Sequence, residues 1–245
     1  VNYYPWFPEE GERVASASQE ILIRPNVNNS YELNVTLPSP NVWSPRDPQL
    51  YRVEVVLKDE KGNPIDDYVT TTGVRIIEQR EGLLYINNKP EMLNGAQNFG
   101  YRLPLENIAK HVRCATDEQV MRDFMMSEQL GGNMLRIHIH AEKHVSEGVN
   151  DPRYAEYADQ LGFYILWQSA GWIREGNAFN VDIEHFPAYM KRVYNHPSIV
   201  VWGLSNEISI GGADDDLLEN HRILNDLCHE MDKTRLTTIA ALSMC

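Results

Sequence analysis

The stretch VYNHPSIVVWGLSNE, Val193 to Glu207, decides the fold. Its centre, Ile199 to Leu204, carries no charge and is rich in β-branched residues. That is the pattern of a strand buried on both faces, as in a parallel sheet covered by helices. Asn195-His196-Pro197-Ser198 ahead of it is a stop-and-turn signal, because proline disfavours helix in the residue before it. A helix therefore ends, a buried strand runs, and the strand delivers Asn206 and Glu207 at its C-terminal end. In parallel α/β folds that end is where ligands bind.

Outward from this strand the same unit repeats. Thr116-Asp117-Glu118-Gln119 is a capping box, Val120, Met121, Phe124 and Met125 follow at helical spacing, and Gly131-Gly132 stops the helix. Asn133 to His140 reads as a strand. Asp151-Pro152 opens a helix with Tyr154, Tyr157, Ala158 and Leu161 as its inner stripe. Gly162 closes it, and Phe163 to Trp167 is another buried strand. Helices over about 182–194 and 214–231 flank the opening stretch; the second has Leu217, Leu218, His221, Leu224, Leu227 and Met231 as its apolar face. Leu236 to Leu242 is the last strand candidate. With a first strand near Met92, strands alternate with helices, which predicts a parallel α/β fold, either a barrel or a doubly wound sheet. No glycine-rich phosphate loop follows the first strand, which weighs against a nucleotide-binding sheet. An eight-unit (β/α)8 TIM barrel takes roughly 250 residues. About 155 follow Pro90, so a barrel is expected to be truncated after about strand five.

Residues 1–78 have a different period. Tyr31 to Leu37 alternates partly and Tyr51 to Val55 cleanly, Lys61-Gly62-Asn63-Pro64 turns, and Tyr68 to Thr72 is β-prone. Short strands and frequent turns predict a small antiparallel β-sandwich. Leu83 to Leu93 reads as a hairpin turning at Asn87-Asn88, inside a second domain over 79–245.

A hydrophobic content of 42% in 245 residues supports a folded core, and a formal net charge of −13 argues against nucleic acid and anionic membrane surfaces as partners. No stretch approaches the length of a membrane span. Cys114, Cys228 and Cys245 are too few and scattered for a disulfide framework or a zinc site. Neither a metal nor a cofactor is expected.

Glu207 is the first candidate for chemistry. A carboxyl at the end of a buried strand suits general acid work, since partial burial raises its pKa toward neutrality. The plainer reading is that Asn-Glu begins a solvated loop. Asn206 can hold a substrate hydroxyl, because its amide both donates and accepts. Arg136 sits in an apolar strand and must be paired if buried, either as a structural ion pair or beside a catalytic carboxylate. His138 and His140 share its face; hydrogen bonds to substrate hydroxyls or satisfied core positions suit them better than metal ligation. Trp167 and Gln168 end the third strand and Trp172 follows, and an aromatic there either stacks on a sugar ring or belongs to the core. Asp214-Asp215-Asp216 reads as acidic residues at a helix N-terminus.

Together these residues resemble glycoside hydrolase family 2, which includes β-galactosidases, β-glucuronidases and β-mannosidases. Asn195-His196-Pro197-Ser198-Ile199, the tryptophan-bearing strand and Asn206-Glu207 resemble its acid/base signature. Val42-Trp43-Ser44-Pro45-Arg46-Asp47-Pro48-Gln49-Leu50-Tyr51 is similar to a segment of its immunoglobulin-like domain, and Gly73-Val74-Arg75 to the junction that follows. Asn133 to Arg136 and Leu161 to Gln168 resemble its second and third barrel strands. The resemblance implies an immunoglobulin-like β-sandwich followed by a TIM barrel, and retaining hydrolysis of a β-glycoside. Glu207 would be the acid/base, Asn206 would bind the sugar 2-hydroxyl, and Arg136 would sit near the nucleophile. His138, His140, Trp167, Gln168 and Trp172 would contribute to carbohydrate binding, in a protein that leaves room for an oligomer. The family's nucleophile lies on the seventh strand, so it is expected beyond Cys245; Glu142 and Glu175 are poor substitutes. Ala96-Gln97-Asn98-Phe99 departs from the family pattern after the first strand, and so does Gln168-Ser169, where galactosidases carry an acidic magnesium ligand. The alternatives are a non-catalytic carbohydrate-binding or scaffold protein on the same fold, and a barrel glycosidase of another family.

Overall fold

In the computed structural model, the alternating residues of Tyr51–Lys58 (β3) and Pro64–Thr72 (β4) pair as an antiparallel hairpin, extended by Asn2–Pro5 (β1) and Ala15–Ser16 (β2) in the order β2-β1-β3-β4. The described residues are 1–98, 115–137, 151–169, 172–174, 177–180, 183, 186–206, 208–209 and 215–242; for 172–174, 177–180, 208–209, 215–217 and 241–242 only the backbone is described. This sheet belongs to one compact unit, Val1–Trp43 with Gln49–Val74; the second comprises Ser44–Pro48 and Arg75–Cys245. The β3–β4 turn is held by Asp59, whose Oδ1 accepts from the backbone N–H groups of Lys61 and Asn63. Tyr51 and Val53 alternate inward and are buried with Trp43 and Leu50. Tyr31 to Leu37 is not a strand. Its alternation survives, with Leu33, Val35 and Leu37 half-buried and Glu32, Asn34 and Thr36 exposed, but among the described residues no strand takes up its backbone ladder.

The second unit opens on a meander, Ile77–Arg80 (β5), Leu83–Ile86 (β6) and Lys89–Pro90 (β7). Its second turn is Asn87-Asn88, with φ of 51° and 64°, the left-handed pair that a tight hairpin needs. Five parallel strands follow: Gly95–Asn98 (β8), Met134–Ile137 (β9), Tyr164–Gln168 (β10), Ile199–Gly203 (β13) and Leu236–Thr238 (β15). They pair in chain order, β8-β9-β10-β13-β15. A doubly wound sheet reverses direction at a switch point. This sheet does not, and sequential winding is the barrel pattern. The helices are Asp117–Gln129 (α1), Arg153–Leu161 (α2), Phe186–Val193 (α3) and Asp215–Met231 (α4). Short strands Trp172–Arg174 (β11) and Asn177–Asn180 (β12) form a ribbon after β10, and Ile208–Ser209 (β14) pairs with Ala241–Leu242 (β16).

Local chemistry explains most element ends. Thr116 and Gln119 form the reciprocal capping box at α1, and Gly162 closes α2 in the left-handed conformation. The first barrel strand begins later than the sequence suggests. Met92 is 80% exposed, and the ladder to β9 starts only at Gly95, just after Asn94, which is tied to Asn133 and Gly131. At Gly95 a β-carbon would lie 2.1 Å from Met134 O, so the close approach of β8 to β9 admits only glycine. The core between sheet and helices takes Val120 and Phe124 from α1, Tyr154, Ala155 and Ala158 from α2, Phe186, Met190 and Val193 from α3, and Leu224 and Cys228 from α4. Met125, Leu161 and Leu218, expected on inner stripes, lie at the exposed margins.

The entry to β13 is pinned by three charged side chains. Asp159 accepts from Ser198 N at 3.0 Å and contacts His196 Nδ1 at 2.6 Å. Arg235 donates to the carbonyls of Ile199, Tyr194 and His196 and pairs with Asp232 at 2.7 Å. Arg75 donates to the carbonyls of Pro197 and Ile199, and burial, then the nearby Arg235 charge, lowers its pKa. Among the described residues no helix is long and apolar enough to cross a membrane.

Candidate active site

β9 carries one charged residue, Arg136, between Leu135 and Ile137. Those two neighbours lie in the helix-packed core, so the pleat turns Arg136 to the sheet's other face. Its register partners are Gln97 on β8 and Leu166 on β10. Gln168, two residues beyond Leu166, shares that face. Arg136 Nε donates to Gln168 Oε1 at 2.6 Å, and Nη1 donates to Gln97 Oε1 at 2.7 Å. Nη2 reaches both Gln168 Oε1 and Asn206 Oδ1. A guanidinium has only donors, so each amide must present its oxygen. Hydrogen bonds to a charged group contribute about 1.5–3 kcal/mol each, enough to fix all three side chains.

Asn206 follows β13 by three residues and is 2% exposed. The strand end is held from both neighbours: Ser169 N donates to Gly203 O at 2.6 Å, and Leu204 N donates to Thr238 O at 2.8 Å. Ser169 Oγ donates to Leu204 O. Gly203 stands opposite Gln168 in register, and a β-carbon there would come within 3.2 Å of Gln168 Cα and Cβ. The missing side chain is what lets Gln168 occupy the inner face.

The structure thus brings Arg136, Gln168 and Asn206 together, and adds Gln97, which the sequence presented only as a departure from a pattern. Trp167 is elsewhere. It is fully buried in the helix-facing core, beside its register partners Ile137 and Trp202, because it sits one residue out of phase with Gln168. Trp172 lies on β11, paired with Asn180; its side chain is not described. His138, His140, Glu207, Glu142 and Glu175 lie outside the described residues. Among the described residues no three His, Cys, Asp or Glu side chains gather as a metal site. Chemically, the cluster places a fixed positive charge and oriented amides at the C-terminal ends of four adjacent parallel strands. Such a surface can bind sugar hydroxyls and stabilise a neighbouring anion.

Comparisons with known proteins agree with this architecture. Residues 3–75 match the model for glycosyl hydrolases family 2, and residues 77–243 match the model for the TIM barrel domain of the same family. A β-galactosidase of Aeromonas hydrophila is 27% identical over 220 residues, 84% of this chain and 20% of that protein. A putative β-glucuronidase of Formosa agariphila is 28% identical over 228 residues, 86% of this chain and 25% of that protein. The crystal structure of an FMN-binding β-glucuronidase from Facaelibacterium prausnitzii L2-6 superposes with a TM-score of 0.71 at 29% identity, over 99% of this chain and 34% of that one. The chain therefore spans a quarter or less of these two curated relatives. An immunoglobulin-like β-sandwich followed by TIM-barrel strands is the architecture that both matches imply. With matches running through both of its parts, the chain belongs to glycosyl hydrolases family 2.

Proposed function

We propose that this chain carries the acid/base side of a retaining β-glycosidase, built as a sandwich domain over 1–78 and a barrel domain over 79–245. The observation that carries the reading is Asn206, nearly fully buried at the end of a barrel strand and hydrogen-bonded to Arg136. Glu207 is its chain neighbour. In this reading Glu207 protonates the leaving oxygen and then acts as base toward water. The Asn206 amide donates to the sugar 2-hydroxyl, where a hydrogen bond strengthens as the oxocarbenium-like transition state forms. Arg136 holds the partner carboxylate ionised. That nucleophile, required about 5–5.5 Å from the acid/base, is supplied from outside the 245 residues, in keeping with relatives of which this chain covers only 20% and 25%. The substrate is a β-linked carbohydrate.

The test is hydrolysis of a panel of 4-nitrophenyl β-glycosides by the protein that contains this chain. Removing a general acid/base typically costs 10²–10⁴-fold, so Glu207→Gln should reduce kcat by about that factor. Near wild-type turnover in that variant would end the assignment and leave a carbohydrate-binding role.

A further inference from the structure

We propose that Gln97 is a further sugar-recognition residue, and that Arg136 acts as a polarity lock, turning amide N–H donors toward the ligand. The inference rests on the glycosidase reading above and deepens it.

An isolated amide can rotate by half a turn and offer either its oxygen or its nitrogen. Here it cannot. Gln97 and Gln168 come from two different strands and Asn206 from the segment after a third, and all three give their oxygens to one guanidinium. Reversing any of them would set an N–H group against an N–H group. Each amide nitrogen is therefore held on the side away from Arg136. Among the described residues nothing accepts from Gln97 Nε2 or from Asn206 Nδ2. Gln97 is half-buried, open enough for a ligand to reach and fixed enough to select one. It lies at the register position of Arg136, on the face shared with Gln168.

Gln168 and Asn206 are buried, so the donor open to a ligand is that of half-buried Gln97, and an open donor selects a ligand with an acceptor to meet it. Sugar hydroxyl oxygens and a uronate carboxylate share that chemistry, and neutral and uronic glycosides separate the two. A site built to donate to a given oxygen discriminates strongly, because its N–H groups go unpaired when that oxygen is missing.

The experiment measures kcat, KM and thermal midpoint for the wild type, Gln97→Glu and Glu207→Gln on 4-nitrophenyl β-galactoside, β-mannoside and β-glucuronide. Gln97→Glu keeps an oxygen for Arg136 but replaces the donor with a second acceptor. The expected result is an unchanged or higher melting point with KM raised about tenfold or more on the preferred glycoside, most of all if that glycoside is the uronide. KM within twofold of wild type, with Glu207→Gln inactive, overturns the role of Gln97 and leaves the glycosidase reading standing. Full activity in Glu207→Gln, or no hydrolysis of any glycoside by the wild type, overturns both. Should Gln97→Glu melt early, Gln97→Met, of matching length and without a donor, is expected to raise KM in the same way; unchanged KM there is equally fatal.

Discussion

Replacing Asp232 with asparagine should destabilise the second unit more than a change of one atom suggests. The Asp232 side chain is fully buried and accepts from four donors. Oδ2 accepts from Trp202 Nε1 at 2.9 Å and Arg235 Nη1 at 2.7 Å; Oδ1 accepts from Thr234 N at 2.8 Å and Thr234 Oγ1 at 2.7 Å. Asparagine offers one oxygen, so its NH2 group must face at least one of those N–H donors. Arg235, 3% exposed, also loses its counter-charge. Breaking a buried pair costs about 3–5 kcal/mol. At about 2–4 °C per kcal/mol for a unit of this size, the thermal midpoint should fall by roughly 6–20 °C. Burial alone would raise the Asp232 pKa, but the charge and hydrogen bond of Arg235, with the bonds from Thr234, bring it below 3.8. A carboxyl depressed on folding contributes stability above its unfolded pKa and loses it as pH falls through the folded value. Wild type should therefore lose stability below about pH 4 more steeply than Asp232→Asn. The assay is urea denaturation followed by tryptophan fluorescence from pH 7 to pH 2.5, with Asp226→Asn as a control in an exposed pair that should change little. A loss below about 1 kcal/mol, or parallel acid profiles, would refute the cluster's role.

Two further changes test the scaffold, beside the Glu207 and Gln97 variants above. Gly203→Ala places a β-carbon 2.9 Å from Leu166 Cδ2 and 3.2 Å from Gln168 Cα. Overpacking of about 1–3 kcal/mol, less about 0.5–1 gained by removing a strand glycine, leaves a net loss of about 0–2.5 kcal/mol. Glycosidase kcat/KM should fall further than that loss explains, because Gln168 is pushed off Arg136; unchanged kcat/KM would show that Gln168 has slack. Thr116→Ala removes the hydroxyl that accepts from Gln119 N, while the backbone N–H of residue 116 can still donate to Gln119 Oε1; it should cost about 1 kcal/mol in urea titration with no change in KM.

What was legible in the sequence was mostly local. The α1 cap, the αL glycine after α2 and the Asn87-Asn88 turn are settled by interactions among near neighbours. β13 was legible because an uncharged β-branched run has few other places to go. β8 was not, since Gly-Ala-Gln-Asn has no strand propensity to speak of and becomes a strand only because β9 offers it a ladder. Gln97 was missed as a site residue for that reason: its face depends on where the strand begins. Trp167 was misplaced for a related one. Phase within a strand is visible in the sequence, but which phase faces the site depends on register with Arg136 on the preceding, paired strand β9. Tyr31 to Leu37 shows the converse, alternation without a partner.

The register of β13 ties these observations together. Ile165 pairs with Ile199 but Leu166 pairs with Val201, so one extra residue is accommodated at that point. Ile199 and Trp202 consequently both reach the helix-facing core, which strict alternation would forbid across three residues. A slip of one position would exchange the two faces, bury Gly203 where Trp202 packs, and carry Asn206 away from Arg136. Hydrophobicity alone cannot prevent this, because all five residues of the strand are buried and apolar. Polar contacts at its entry can. Arg75 and Arg235 both bind the carbonyl of Ile199, and Asp159 fixes Ser198 beside it. These contacts act on residues 198 and 199, and their consequence is read at residue 206. The buried charges that cost the fold desolvation at one end of the strand therefore determine the position of the amide at the other.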